Sequence, residues 1–223
     1  MAGLRIKGIV FDMYGTLVDV GAVAEACKEV APEPVAFNTQ WRAKQLEYTF
    51  LRSLMRKYRD FWKVTEEALE FVIQQFGLQV PPEQRKQVME AWLHPTAYPE
   101  VEAALPRLKE KYLLAVLSNG TLKMLRTGLE RTGLRPHFRW VISADAVKLY
   151  KPSPEVYRLA LKRMRLQKNE ILFVSSNSFD VAGSKNFGFK VCWINRPGIP
   201  LDPLGPKPEL VVKSFDELVE TIL

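Results

Sequence analysis

The chain has 223 residues, 47% of them hydrophobic and 26% charged, which is enough for a full core and ordinary for a soluble globular protein. Its net charge of +7 is spread over helical segments with no basic arm, which argues against a nucleic-acid binder and suits attraction of a small anion. Two cysteines, Cys27 and Cys192, exclude a disulfide framework and point to a reducing, cytoplasmic setting, although one bridge between them stays open. Asp12 breaks the N-terminal apolar run and no stretch reaches about 18 apolar residues, so neither a signal peptide nor a membrane span is expected.

Residues 4–11 read as a buried strand, because Ile6, Ile9, Val10 and Phe11 are apolar and β-prone. Asp12 follows it, and Gly15 and Thr16 mark a turn at its carboxyl end. From about residue 21 to about residue 94 the character changes. No strand run occurs there, and helices are expected over 23–31, 37–59, 65–76 and 82–92, with Thr39 and Thr65 as cap or first-turn residues. Residues 113–117 (LLAVL) form a second strand ended by Ser118, Asn119 and Gly120. A helix over 121–131 comes next. Another spans Pro154–Met164, with Ser153 as N-cap and Pro154 at the first helical position. Residues 171–174 (ILFV) form a third strand ended by Ser175, Ser176 and Asn177. Residues 191–194 and 210–212 make a fourth and fifth, joined by a Pro-rich loop over 197–208. Alternating strands and helices predict a Rossmann-like parallel α/β core. It covers residues 1–20 and 95–223, with residues 21–94 inserted as a helical cap domain.

Ligands of an open α/β sheet sit at the carboxyl ends of its strands. Asp12 and Tyr14, Ser118 and Asn119, and Ser175 and Asn177 all fall there, and Lys151 lies in a loop before a helix. An aspartate exposed by a Gly-Thr turn is a nucleophile candidate, and the N–H groups of such a turn bind anions. The same short pattern also describes an aspartate that only caps a turn. Lys151 beside Asp12 keeps the nucleophile ionised, or serves only as a structural ion-pair partner. The oxygen ligands that magnesium prefers are scarce at these strand ends. His94 and His137 pair with no nucleophile motif and read as structural, and the cysteines lack a metal-ligand spacing.

FDMYGTLVDV, LSNG, KLYKPSPEVY and FVSSNSFDVAGSKNFGF follow one another in that order. Across essentially the whole chain the sequence resembles the haloacid dehalogenase superfamily. Phosphatases of that superfamily carry a second Asp two residues after the nucleophile and paired acids after the third strand. Here those places hold Tyr14, Ser175 and Asn177. The difference has chemical content. An alkoxide needs a proton donor to leave and a halide does not, and a phosphate brings charge that magnesium must balance. Within the insertion, WRAKQLEYTFLRSLM and YRDFW resemble the cap of the L-2-haloacid dehalogenases.

That resemblance implies hydrolysis of a short 2-haloalkanoic acid. Asp12 attacks C2, and halide leaves toward Arg42, Asn119 and Phe179. Ser118 and the amides of Met13 and Tyr14 hold the carboxylate, and Leu46 and Phe61 line the alkyl pocket. Water then hydrolyses the ester with Asp180 as base or as the group that orients the water. Thr16, Lys151, Ser175 and Asn177 belong to the same catalytic set, and Tyr157 touches the site. The family pattern further implies no cofactor, a haloacid substrate with halide product, and a homodimer. The nearest rival is a magnesium-dependent phosphatase of the same superfamily, then a non-catalytic binding protein on this fold. A nucleotide-binding oxidoreductase is disfavoured, since no G-x-G-x-x-G follows the first strand.

Overall fold

Burial on both faces decides the centre of this molecule. The computed structural model describes residues 5–223; Leu4, where the first strand was expected to begin, lies outside them. The strand proper is β1 (Gly8–Phe11), buried along its whole length. Near-continuous apolar runs also make β4 (Leu113–Ser118), β6 (Ile171–Ser175) and β7 (Lys190–Ile194). This is the signature of a parallel sheet covered on both sides. With β5 (Trp140–Ser143) and β8 (Leu210–Val212) they form one six-stranded sheet in the order β5-β4-β1-β6-β7-β8, all pairs parallel. Phe11 stands level with Val116 and Val174. Asp12 therefore leaves the sheet between the carboxyl ends of β4 and β6, where the strand order reverses, the usual site of a ligand crevice.

Two further strands flank the long insertion. β2 (Val18–Asp19) and β3 (Thr96–Ala97) pair antiparallel, so the chain leaves the sheet and returns to it side by side. Between them lie α1 (Ala22–Ala26), α2 (Pro34–Met55), α3 (Phe61–Gln75) and α4 (Pro82–Glu90). Their ends differ from expectation for local reasons. The first helix does not run to residue 31 but passes into a short 3-10 turn, Cys27–Glu29. The second starts early because Pro34 suits the first helical position, and it stops at Met55 because Arg56 turns left-handed (φ 54°). Asp60, not Thr65, caps α3 by accepting from the Lys63 amide at 2.9 Å. Thr39 and Thr65 sit inside helices and donate back to the carbonyls of Val35 and Phe61. The fourth helix gives way to a 3-10 turn over Ala91–Leu93.

α5 (Pro99–Lys111), α6 (Leu122–Arg131), α7 (Pro154–Met164), α8 (Ser178–Phe187) and α9 (Phe215–Ile222) complete the chain. Ser153 stands at the N-cap of α7, but its side chain makes no capping bond. The α2–α3 pair is the body of the insertion: Trp41 is fully buried and its indole donates to the Thr65 carbonyl at 2.8 Å. Truncating such a residue to alanine costs about 3–5 kcal/mol. Cys27 and Cys192 are both free and buried, so the bridge left open by the sequence is not formed. No helix among the described residues is long and apolar enough to cross a membrane.

Candidate active site

The turn after β1 is wound around one carbonyl. The oxygen of Met13 accepts from the amides of Thr16, Leu17 and Val18 at 3.1, 2.9 and 3.1 Å, and Gly15 supplies the positive φ (84°) that this needs. The amides of Met13 and Tyr14 find no acceptor among the described residues. They stand as two unused donors beside Asp12, suited to an anion.

The Asp12 carboxylate is held from two sides. Its Oδ1 accepts from Lys151 Nζ at 3.0 Å, and its Oδ2 from Asn177 Nδ2 at 2.8 Å, with Thr16 Oγ1 at 3.5 Å. Lys151 also donates to Asp180 Oδ2 at 2.8 Å, and Tyr157 Oη donates to Asp180 Oδ1 at 2.7 Å. Lys151 is 1% exposed and Asp180 not at all. The backbone amide of Lys151 donates to Asn119 Oδ1 at 2.9 Å, which ties the lysine loop to the end of β4. Ser175 Oγ accepts from the Asn177 amide at 3.1 Å and so fixes the start of α8.

Burial sets the protonation of this cluster. It pushes the Asp180 carboxyl up to about 6, against the pull of Lys151 and with help from the Asp12 charge. Burial alone would lower Lys151, but Asp12 and Asp180 outweigh it and the ammonium ends above its ordinary value. Burial, then Asp180, drives the Tyr157 phenol well upward, and burial keeps Tyr14 a neutral phenol.

The facing wall comes from the insertion. Arg42 on α2 donates from Nη1 to Gln45 Oε1 at 2.5 Å, and Gln45 donates on to Thr65 Oγ1 at 2.6 Å. The guanidinium carbon lies 5.7 Å from the centre of the Trp92 ring. Burial lowers the Arg42 pKa, with Asp12 and Tyr14 opposing. Two carboxylates thus meet one ammonium on the sheet side, and Arg42 brings the fourth charge.

Between these walls lies a cavity of about 10 Å³, room for roughly one water. Asp12, Ser118, Asn119, Lys151 and Asn177 line it from the sheet, with Tyr14 beside them. Arg42, Leu46 and Phe61 line it from the insertion, and Phe179 from the start of α8. The remaining candidates stand behind this surface: Thr16, Ser175 and Asp180 bond to lining residues, Tyr157 bonds to Asp180, and Met13 offers its amide. His94 and His137 are not in the cavity wall. Among the described residues, no group of three or more His, Cys, Asp or Glu is placed to hold a metal ion.

Sequence reasoning missed three supporting residues. Gln45 orients Arg42, and the only signal was a polar residue one turn along the same helix. The Ser176 amide donates to Thr16 Oγ1 at 2.9 Å, locking the turn after β1 to the end of β6. Gly183 has no side chain for a packing reason: a Cβ there would stand 2.5 Å from Tyr157 Oη and from Pro152 Cβ. A lone glycine inside the α8 pattern was the legible sign.

A buried carboxylate at the end of the central parallel strand, braced by a lysine and faced by an inserted helical layer, defines a class. The chain belongs to the haloacid dehalogenase-like hydrolases, whose family pattern matches residues 6–188. Within that class it is 45% identical over 216 residues to an (S)-2-haloacid dehalogenase of Pseudomonas putida, spanning 96% of this chain and 95% of that one. It is 43% identical to an (S)-2-haloacid dehalogenase of Pseudomonas fluorescens, with 96% and 95% covered. Its structure superposes with a TM-score of 0.91 on the L-2-haloacid dehalogenase of Xanthobacter autotrophicus with chloropropionic acid covalently bound. That pair shares 35% identity over 97% of this chain and 98% of the other.

Proposed function

We propose that this protein is an (S)-2-haloacid dehalogenase, hydrolysing short L-2-haloalkanoic acids to D-2-hydroxy acids and halide through an ester on Asp12. The observation that carries the reading is the placement of Asp12. Its carboxylate is held by Lys151 and Asn177 at the edge of a small cavity that is also lined by Arg42. The named relatives support the same reading.

The substrate carboxylate sits on the free amides of Met13 and Tyr14 and on Ser118. This holds C2 in line with Asp12, a positioning effect of several kcal/mol. Asp12 attacks C2, and the halide departs opposite, toward Arg42, Asn119 and Phe179, while Leu46 and Phe61 enclose the alkyl group. Halide needs no proton to leave, which fits a site with Tyr14 two residues after the nucleophile. Water then attacks the acyl carbon of the ester. Asp180 takes or directs its proton, and Lys151, Thr16, Ser175 and Asn177 hold the charges in place. One displacement at C2 inverts it. Residues 21–94 act as a cap domain over a core of residues 1–20 and 95–223. The side-by-side exit and return through β2 and β3 support that division, and the buried free thiols support a reducing cytoplasm.

The test measures chloride released from L- and D-2-chloropropionate in the presence of a chelator, with wild type and Asp12→Asn. Chloride from the L acid alone, abolished in the variant, is expected. Chloride from neither enantiomer overturns the reading.

A further inference from the structure

The face of α2 that carries Arg42 and Leu46 does not end at the cavity. Phe50 and Leu54 follow at the same spacing, so the four side chains form one stripe about 18 Å long at 1.5 Å of rise per residue. Arg42 and Leu46 line the Asp12 cavity. Phe50 and Leu54 line a second pocket of about 420 Å³, walled elsewhere by Tyr150, Pro152, Phe179 and Leu204. The two spaces share Lys151 and Phe179. Phe179 lines both spaces, and Phe50, which lines the outer one, meets it edge to face with ring centres 5.2 Å apart.

The outer pocket is apolar in composition and open to water. Leu54 is 81% exposed and Leu204 63%. A single exposed leucine needs no explanation, but two in the walls of a concavity that adjoins a reaction centre do. Lys151 is the one charged residue in its lining, and that ammonium is already committed to Asp12 and Asp180. The occupant that such a surface recognises is an uncharged chain.

We propose that this pocket binds the distal alkyl carbons of medium-chain 2-haloalkanoic acids, admitted when the Phe50 and Phe179 rings part. This rests on the dehalogenase reading and extends its substrate class. An alkyl group that begins against Leu46 meets Phe50 one helical turn on and Leu54 a turn after that. The inner cavity, at about 10 Å³, must open even for the carboxylate and C2, and the apolar lining available to further carbons continues along α2 into the second pocket. Each methylene moved from water into the pocket raises kcat/KM about fourfold.

The experiment compares bromide release from L-2-bromopropionate and L-2-bromooctanoate by wild type, Leu54→Asp and Leu204→Asp. Neither variant touches the catalytic cluster, and Leu204 lies in a surface loop on a different wall, which covers a folding failure on α2. Both substrates are expected to turn over. Each variant lowers kcat/KM for the octanoate about tenfold or more and for the propionate less than twofold, the signature of lost tail burial. Turnover of bromopropionate but not bromooctanoate by wild type overturns the subsite and leaves the dehalogenase reading intact. So does an equal effect of the variants on both substrates. No bromide from bromopropionate overturns both readings. A second copy of the chain seated on these leucines appears as a wild-type dimer in sedimentation that Leu54→Asp dissociates with an unchanged chain-length profile, and that result also overturns the subsite.

Discussion

On the sheet side of the cavity, both oxygens of Asp12 and both oxygens of Asp180 are hydrogen-bonded, and Lys151 joins the two carboxylates from a fully buried position. On the insertion side, Arg42 makes one side-chain hydrogen bond among the described residues, to Gln45, and rests beside the Trp92 ring. The difference matches the two halves of the proposed displacement. Attack at carbon demands a fixed line of approach, so the nucleophile is over-determined. A halide leaves without a proton and accepts donors from a range of directions, so its receptor tolerates a mobile wall. A cavity with room for about one water must in any case open to admit a haloacid, and Arg42, with its one side-chain partner, is freer to shift than the Asp12 cluster.

The largest effect is expected where that contrast is sharpest. Lys151→Met leaves Asp12 and Asp180 buried without their shared cation. Breaking a buried pair in this way costs about 3–5 kcal/mol, or about 6–20 °C of Tm for a chain of this size. Turnover falls by roughly 10⁴-fold as the nucleophile loses its alignment. Thermal unfolding and halide release check both parts. A variant that keeps its Tm within a degree or two would mean that the sheet-side cluster is not what holds these carboxylates.

Asp180→Asn comes next. The first displacement survives, and ester hydrolysis slows by roughly 10³-fold for want of a base. Asp12 then accumulates as its ester, read as an added carboxyalkyl mass on its peptide. In wild type, burial outweighs Lys151 and sets the Asp180 carboxyl at about 6, so turnover declines as pH falls through that value. Stability moves the other way. A carboxyl whose folded pKa is raised contributes stability that is complete below its ordinary value of 3.8 and lost as pH rises through about 6. The stability difference between wild type and Asp180→Asn, followed over that window, reads this contribution. A turnover limb and a stability change of the same sign would remove Asp180 as their source.

Arg42→Ala probes the looser wall. Loss of one charged donor to the departing halide costs about 10²-fold in kcat/KM. Tm changes by only a degree or two, because Arg42 anchors little besides Gln45. A large loss of Tm here would erase the proposed contrast between the walls.

The sheet was largely legible because its strands are unbroken apolar runs closed by polar residues, and the same ends announce Asp12, Ser118, Asn119, Ser175 and Asn177. The strand Trp140–Ser143 escaped notice because it is a short edge strand following Pro136 and Arg139, with only two of its four residues buried. β2 and β3 are two residues each, fixed by pairing across the insertion and by no local signal. Arg42 was legible only through family resemblance, since an arginine on an amphipathic helix is ordinarily solvated. Gln45 left only the weak sign of a polar residue one turn beyond Arg42, and Ser176 left none. Their roles arise from tertiary hydrogen bonds between segments that the sequence keeps apart.

Tyr157→Phe is expected to give the smallest and most discriminating effect. Its hydroxyl donates to Asp180 Oδ1 at 2.7 Å, an approach that Gly183 leaves open. A donor on the ionised carboxylate favours the charged form, so its removal raises the Asp180 pKa further. A hydrogen bond to a charged group contributes about 1.5–3 kcal/mol, which corresponds to a shift of about one to two pH units. The acidic limb of turnover therefore moves upward by about that much, while the rate on the alkaline plateau changes only a few-fold. Packing is preserved, since the ring keeps its contacts with Phe173 and Phe187. A pH–rate profile of the variant separates two roles for Tyr157. A displaced limb with an intact plateau identifies a positioning residue that works through Asp180. A lowered plateau with an unmoved limb would place its hydroxyl on the reacting atoms instead, and the sheet-side cluster would then extend further into the cavity than its lining residues do.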